Sequence, residues 1–375
     1  MASGALLSEL VMRGAGPLDA RAHSDALDRL GVQRACDVQT HHLRIDATML
    51  GWRLLDALPL IGDMVCSPRL PADALEAVRS LCVQTLDGLD DDPQSLVMLR
   101  LRERHIAPPF NRHGYGNRSV LESASIEELR GQWSRFVRPG GAILGVAGEV
   151  DPSALAQQLN GLLKGWNGQS PEPAELKQAQ RGVLHIEQST AQVHIGVAWD
   201  APPERESKAM VERLGMGVLS GSTSGRLFTE VRQKGSLCYS VGASYRAGRN
   251  TGYVSLYAGT TPERAQETLD VSLGEIERLR KGVTADEYRR ACVGLKAHQI
   301  MQGESTAARA GALVYDQFRI GRARTLEEIS AAVDAISIDQ LNGYLARRTA
   351  GPFTIASIGP TALDMTKSQQ ANNRT

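Results

Sequence analysis

The sequence predicts an α+β fold made of two homologous domains in tandem, each a mainly antiparallel sheet with helices packed on one face, the first lacking its opening strands. Three observations predict it. The first is an internal repeat at a nearly constant offset. Residues 67–83 resemble 281–297, with Asp73 matching Asp286 at 213 positions. Residues 123–137 resemble 334–348, with Ser125 matching Ser337 at 212, and 140–155 resemble 351–363, with Gly148 matching Gly359 at 211. The second is residues 165–178, where Gly, Pro and charge mix without periodicity, as in a linker. The third is the change of period along the chain, between a helical spacing of three and four and a strand alternation of two. The expected domains are 1–164 and 181–375, joined by a linker at 165–180.

The elements follow in order. Apolar spacing fits helices at 4–13, 20–30, 50–64, 72–89, 95–106, 125–136 and 152–164. Asp19, Ser125 with Glu128 three residues on, and Asp151 before Pro152 supply helix-start signals. Strands are expected at 33–46 and 141–148. Beyond the linker, 181–187 and 191–200 read as strands, 205–219 and 223–233 as helices. Strands 237–246 and 252–259 alternate around the turn signal GRNTG. Helices at 262–281, 285–300, 305–318, 324–334 and 337–348 lead to a last strand at 352–358. The second half opens with two strands and the first directly with a helix. About 50 residues' worth of strand is therefore expected to be missing from the N-terminus, together with any signal peptide, and a sheet deprived of them would show an edge and an apolar face.

Composition excludes several classes. The chain has 375 residues, 42% apolar and 22% charged, which suits an ordinary globular protein. Lys plus Arg and Asp plus Glu are both 42, so no net charge is available to steer the chain to nucleic acid or a membrane surface. No apolar run is long enough to span a bilayer. Five scattered cysteines without a C-x-x-C argue against a disulfide scaffold or a cysteine zinc site. The start lacks a charged n-region and a long apolar stretch, so as written it reads as cytoplasmic, with a periplasmic location open if a signal has been lost.

Residues 222–244, STSGRLFTEVRQKGSLCYSVGAS, form the most specific stretch. A helix ends in Arg232, Lys234-Gly235-Ser236 make a turn, and a strand carries Tyr239, seven residues after the arginine. Read alone, these are a surface Arg and a Tyr alternating with Leu237 and Val241 on a core face. Read together, the stretch resembles the second-domain signature of the insulinase, pitrilysin and mitochondrial-processing-peptidase family of zinc metallopeptidases. The resemblance extends over roughly residues 5–360 and includes the tandem domains, the linker and the Gly-ending strand that closes each half. It implies that Arg232 and Tyr239 hold a substrate backbone and a developing oxyanion across a closed chamber. Both residue types suit that role, since Arg is a planar, always-charged fork of donors and Tyr is one donor on a rigid arm.

The family's metal sits on H-x-x-E-H, with two His ligands on one helical face, a Glu between them as general base and a distal Glu as third ligand. The Arg13-Gly14 that follows the motif in relatives aligns the helix here. The first His position is then Ala5, the general-base position Ser8 and the second His position Glu9. The distal Glu position, 76 residues after Glu9, is Thr85. One carboxylate, Glu9, is the only possible metal contact of the four. None of the eight histidines, at 23, 41, 42, 105, 113, 185, 194 and 298, lies in an H-x-x-E-H or H-E-x-x-H pattern. His41 and His42, adjacent on the expected strand, would point to opposite faces and share no metal. No cofactor is therefore expected in this chain.

By this resemblance the chain is expected to be the catalytically inactive subunit of a heterodimeric zinc peptidase. The zinc-motif-bearing partner of the same family would carry the zinc, and the substrate would be an unstructured peptide. The strand at 33–46 stands where relatives pair an extended substrate, although it also reads as an ordinary edge strand. Two alternatives remain. One is a structural scaffold like the core proteins of respiratory complex III; the other is a self-sufficient peptidase whose metal site lies elsewhere. Three further segments read as ordinary structure: LRLRERH (99–105) as a solvated helix face, LSGSTSG (219–225) as a turn between helices, and DGLDDDP (87–93) as a helix end.

Overall fold

The computed structural model describes residues 3–172, 175–348 and 351–364, so the expected outer bounds at residues 1 and 375 and part of the linker lie outside the described residues. The chain divides into two compact units. The first contains the residues up to Asp91 together with Pro108–Lys177; the second contains Asp92–Ala107 and the residues from Gln178 onward.

The first unit opens with α1 (Gly4–Val11), a short ladder of β1 (Gly14–Ala15) and β2 (Leu18–Asp19), and α2 (Ala20–Arg29), capped by the Asp19 carboxylate. A hairpin of β3 (Gln33–Val38) and β4 (Leu43–Thr48) follows, then α3 (Leu54–Cys66) and α4 (Leu75–Asp87). After α5 (Pro93–His105), which joins the second unit, come α6 (Arg118–Ser123), α7 (Ile126–Phe136) and α8 (Pro152–Leu162). Ser125 and Glu128 close a reciprocal capping box on α7, and Asp151 caps α8 ahead of Pro152. Leu6, Leu7, Leu10 and Val11 of α1 are buried with Met64, Val78, Leu121, Leu129 and Trp133 in one core.

Two expectations for this unit are corrected. The strand expected at 33–46 is a hairpin, because the polar run Gln39–His42 has no apolar alternation and reverses the chain. His41 and His42 therefore sit in its loop rather than on opposite faces of a strand. The strand expected at 141–148 forms no ladder: no strand among the described residues pairs with it, and an extended segment without a neighbour is not a β-strand. The first unit's sheets consequently have two strands each.

In the second unit, β5 (Val183–Glu187), β6 (Val193–Ala201), α9 (Ala209–Ser220) and a π-helix (Leu227–Lys234) precede β7 (Cys238–Ala247) and β8 (Gly252–Thr260). Then follow α10 (Ala265–Arg278), α11 (Ala285–Gly303), α12 (Thr306–Ile320), α13 (Leu326–Asp334), α14 (Ile338–Arg347) and β9 (Thr354–Gly359). The sheet order is β5-β9-β6-β8-β7, antiparallel except for the β5–β9 pair. One face buries Ile195, Val197, Trp199, Val254 and Leu256 against α9, α10, α11 and α14. The other is covered by α5, whose Leu96, Val97 and Leu101 pack on Ala198, Ala356 and Ile358. This sheet is thus covered on both faces, not one as expected. The same apolar contact explains why residues 92–107 belong with the second unit instead of with an unbroken first domain. It also corrects the reading of 99–105 as a solvated face: Leu101 and His105 are buried and the arginines between them half-buried.

The two units repeat one packing scheme. Helix α1 packs on β3, α4 and α7 as α9 packs on β7, α11 and α14, and α4 meets α6 as α11 meets α13.

Candidate functional site

The positions expected from the resemblance to hold zinc, Ala5, Ser8, Glu9 and Thr85, fall on two helices that pack together, α1 and α4. Helix α1 is a core helix, and this decides the fate of its polar positions. Ala5 brings only a methyl group. The Ser8 hydroxyl turns back on its own helix and donates to the Ala5 carbonyl at 2.9 Å. Thr85, exposed on α4, does the same with the Leu81 carbonyl at 2.9 Å. Glu9 stands near two thiols, Cys36 on β3 and Cys82 on α4. Burial first, then the charges of Asp37, Glu9 and Asp46, push Cys36 up to about 12. Burial and Glu9 push Cys82 up to about 11. Both stay protonated near neutrality, so neither supplies the thiolate that a metal takes. Two hydroxyls tied to their own helices, a methyl and one carboxylate do not fit zinc, and no group of three or more His, Cys, Asp or Glu among the described residues could hold a metal.

The second unit treats Arg232 and Tyr239 differently. They flank one connection, built from a π-helix, a tight turn and an irregular strand start. In the π-helix the Gly235 N–H donates to the Glu230 carbonyl five residues back, at 3.0 Å. Gly235 is required by a close approach: a Cβ there would lie 2.9 Å from Leu237 Cγ and 3.0 Å from the Glu230 carbonyl oxygen. Ser236 then takes a left-handed conformation, φ 50°, and Arg264 donates to its carbonyl.

Strand β7 starts with a register shift. Cys238 pairs with Thr260 and Ser240 with Gly259, consecutive residues of β8, which leaves Tyr239 as the extra residue of a bulge. Tyr239 is 62% exposed, while Leu237 and Cys238 before it are buried. It does not alternate with Leu237 and Val241 on a core face. The signal for this was in the sequence: two successive apolar residues, Leu237 and Cys238, break the alternation just before the tyrosine.

Arg232 is also exposed. Its Cζ lies 4.9 Å from the centroid of the Phe228 ring, and no carboxylate among the described residues forms an ion pair with it. The carboxylate two residues earlier, Glu230, is held by Lys234 at 2.9 Å and by Arg278 at 3.6 Å, and these cations keep it ionised below the usual carboxylate range. The Arg232 charge reaches the Cys238 thiol, where it opposes the upward push of burial. A guanidinium without a carboxylate partner and an exposed phenol are thus presented around one rigid turn.

Three of the histidines have ordinary hydrogen-bond partners. His194 meets the Tyr257 hydroxyl at 2.9 Å, His185 the Ser357 hydroxyl at 2.9 Å, and His23 the Leu60 carbonyl at 3.1 Å. Residues 221–226 connect α9 to the π-helix. In the acidic run after α4, Asp92 caps α5. No helix among the described residues is long and apolar enough to cross a membrane.

Residues 123–295 match the family model described as the peptidase M16 inactive domain. A Bacillus subtilis protein named uncharacterized zinc protease YmxG is 22% identical over 95% of this chain and 87% of its own length. A Helicobacter pylori protein named non-peptidase homolog YmxG is 20% identical over 92% of this chain and 81% of its own. The crystal structure of a peptidase M16 inactive domain from Pseudomonas fluorescens superposes with a TM-score of 0.80 at 19% identity, covering 97% of this chain and 90% of that one. A chain of complex III from Candida albicans gives 0.81 at 15% identity, covering 99% and 89%. The tandem repeat, the stretch around Arg232 and Tyr239, and these likenesses agree: residues 123–295 match the peptidase M16 inactive domain, and over most of its length the chain is similar to proteins named zinc protease or non-peptidase homolog and shares their fold.

Proposed function

We propose that this chain is the non-catalytic subunit of a two-chain zinc peptidase, in which it supplies Arg232 and Tyr239 to the peptide while the partner subunit carries the zinc. The observation that supports this most is the contrast between the two motifs. The zinc positions, Ala5, Ser8, Glu9 and Thr85, hold no usable donor set, whereas Arg232 and Tyr239 stand exposed on either side of one turn, with Leu237 and Cys238 between them buried. An arginine kept free of carboxylates can donate a fork of hydrogen bonds to a peptide carbonyl, and a tyrosine hydroxyl can add one where negative charge develops. The non-peptidase name of the Helicobacter pylori relative agrees with a role outside the chemistry.

The test begins with zinc per chain after desalting without chelator. Less than about 0.1 equivalent is expected, because structural and catalytic zinc sites bind far more tightly than desalting can strip. About one equivalent would mean the chain is a peptidase in its own right. The chain is then mixed with its zinc-bearing partner and an unstructured peptide. Cleavage should appear only in the mixture, and the R232A/Y239F double variant should lower it more than about tenfold, the loss expected when oxyanion donors are removed. Unchanged cleavage would favour the scaffold reading, for which the complex III likeness supplies a precedent in fold alone.

A further inference from the structure

Three connections of the second unit meet at an arginine-rich corner: residues 202–208 between β6 and α9, residues 248–251 between β7 and β8, and the end of α12. Two hydrogen bonds bring them together. The Glu204 N–H donates to the Gly248 carbonyl at 3.0 Å, and Arg205 Nε donates to the Arg319 carbonyl at 2.9 Å. The arginines of this corner fall into two sets. Arg213 and Arg324 hold its buried carboxylates: Arg213 takes Glu204 at 2.7 Å, and Arg324 takes Glu204 at 3.0 Å and Asp316 at 2.6 Å. Arg205, Arg249 and Arg319 form no ion pair among the described residues. The Arg249 Cζ lies 5.9 Å from the centroid of the Phe318 ring, and the Arg319 Cζ 4.8 Å from that of Tyr315. Arg205 and Arg249 are exposed and Arg319 is half-buried; Glu206 is the exposed carboxylate of residues 202–208. Two rings and a carbonyl thus order three guanidiniums without neutralising them. One cation would suffice to complement the dipole at the end of α12, and three from three connections exceed that need.

We propose that this corner docks an acidic peptide segment of a partner chain, whose carboxylates are taken by Arg205, Arg249 and Arg319. The corner itself shows the mode of binding. Arg324 grips Asp316 as a fork, through Nε at 2.9 Å and Nη2 at 2.6 Å, and a free guanidinium offers the same two parallel donors to a carboxylate from outside. Charge complementarity therefore sets the partner's chemistry. A nucleic acid fits less well: it draws its affinity from many phosphate contacts, and a chain whose cations and anions balance at 42 each steers no polyanion. Phe318 and Tyr315 also lie under guanidiniums instead of standing open to stack bases. This site is independent of Arg232 and Tyr239 and stands whether or not the chain takes part in proteolysis.

The test uses the full chain and a dye-labelled peptide in which glutamates are spaced by Gly-Ser, followed by fluorescence anisotropy at about 50 mM salt, where exposed charges are weakly screened. Binding should saturate, and the same peptide with glutamines should bind about tenfold more weakly or worse, because the charge-assisted forks are lost. The R205Q/R249Q/R319Q variant should lose about tenfold or more for the glutamate peptide, with the melting curve of the wild type, since these side chains hold no buried carboxylate. The R21Q/R29Q/K281Q variant removes the same charge from exposed positions elsewhere and should bind as the wild type does. Three results would overturn the proposal. One is equal binding of the glutamate and glutamine peptides to the wild-type chain. Another is equal loss in the two triple variants, which would make net charge the cause. The third is inorganic phosphate or a DNA duplex that binds more tightly than the peptide and is lost with R205Q/R249Q/R319Q, which would make a phosphate the ligand.

Discussion

Arg226 and Glu287 form a forked ion pair, Nε to Oε1 at 2.7 Å and Nη2 to Oε2 at 3.0 Å, that joins the start of the π-helix to the start of α11. Arg226 also donates to the Gly282 carbonyl at 2.9 Å, and Glu287 closes the capping box with Thr284. The helix that carries Arg232 is thereby fixed at the end opposite the turn that leads to Tyr239.

This pair predicts an acid-sensitive contribution to stability. The Arg226 hydrogen bonds, then those from Thr284, hold the Glu287 carboxyl at about 2, below its ordinary value of 4.5. A folded-state value below the unfolded one stabilises above about 4.5 and loses that contribution as pH falls toward 2. Its side chain is 18% exposed, so water screens part of the effect and about 2 kcal/mol is a fair size. Glu287→Gln should lower the Tm at pH 6 and leave it close to wild type at pH 2.5. Equal losses at both pH values would mean that packing, not charge, is what the substitution removes.

His105 predicts the opposite kind of dependence. It ends α5, is 1% exposed, and meets the Thr354 hydroxyl at 2.9 Å. Burial, and then the Arg181 guanidinium, lower it to about 4, with Asp200 opposing. The unfolded chain takes up this proton near 6.5, so stability should fall as pH drops from 6.5 to 4 and level off below, by about 2–3 kcal/mol for a shift of this size. His105→Gln should flatten that part of the profile in urea titrations. The loss should also show as faster amide exchange in α5, since His105 anchors that helix to the sheet.

A third prediction concerns the buried pair of Glu212 and Arg348. Both guanidinium contacts are 2.8 Å, the Tyr344 hydroxyl adds a third bond at 2.7 Å, and the glutamate is fully buried. Arg348→Met leaves a buried carboxylate with one donor and should cost about 3–5 kcal/mol. The double variant with Glu212→Leu should recover part of this in a denaturant titration, because two apolar groups can replace a buried ion pair at little cost. A double variant no more stable than the single one would mean that the loss lies in the contact of Arg348 with the Trp199 ring, 5.7 Å away.

Much of this was legible in the sequence. The expected helices all have a counterpart in the structure, most within a few residues, because their apolar stripes and caps are local signals: Asp19, Ser125 with Glu128, and Asp151 each cap as their residue types dictate. What failed was non-local. Residues 141–148 read as a strand, but a ladder needs a second strand that no local pattern can supply. The placement of α5 on the second unit's sheet turns on Leu96, Val97 and Leu101 meeting residues about 100 to 260 positions away. The π-helix and the bulge at Tyr239 are shifts of one residue within otherwise regular elements, below what a period of 3.6 or 2 resolves.

Gly235 tests whether the turn itself matters. Its missing Cβ leaves room for Leu237 and the Glu230 carbonyl, one side chain and one backbone atom that an added methyl would displace. Gly235→Ala should cost about 1–3 kcal/mol as an overpacking change. The shift falls between Arg232 and Tyr239, so the spacing of the two groups changes with it. In the proposed two-subunit peptidase the variant should therefore lower kcat/KM for an unstructured peptide by as much as R232A/Y239F, at a temperature where melting curves show it fully folded. Normal kcat/KM in a folded Gly235→Ala chain would mean that the partner or the peptide, and not this turn, sets the positions of the guanidinium and the phenol.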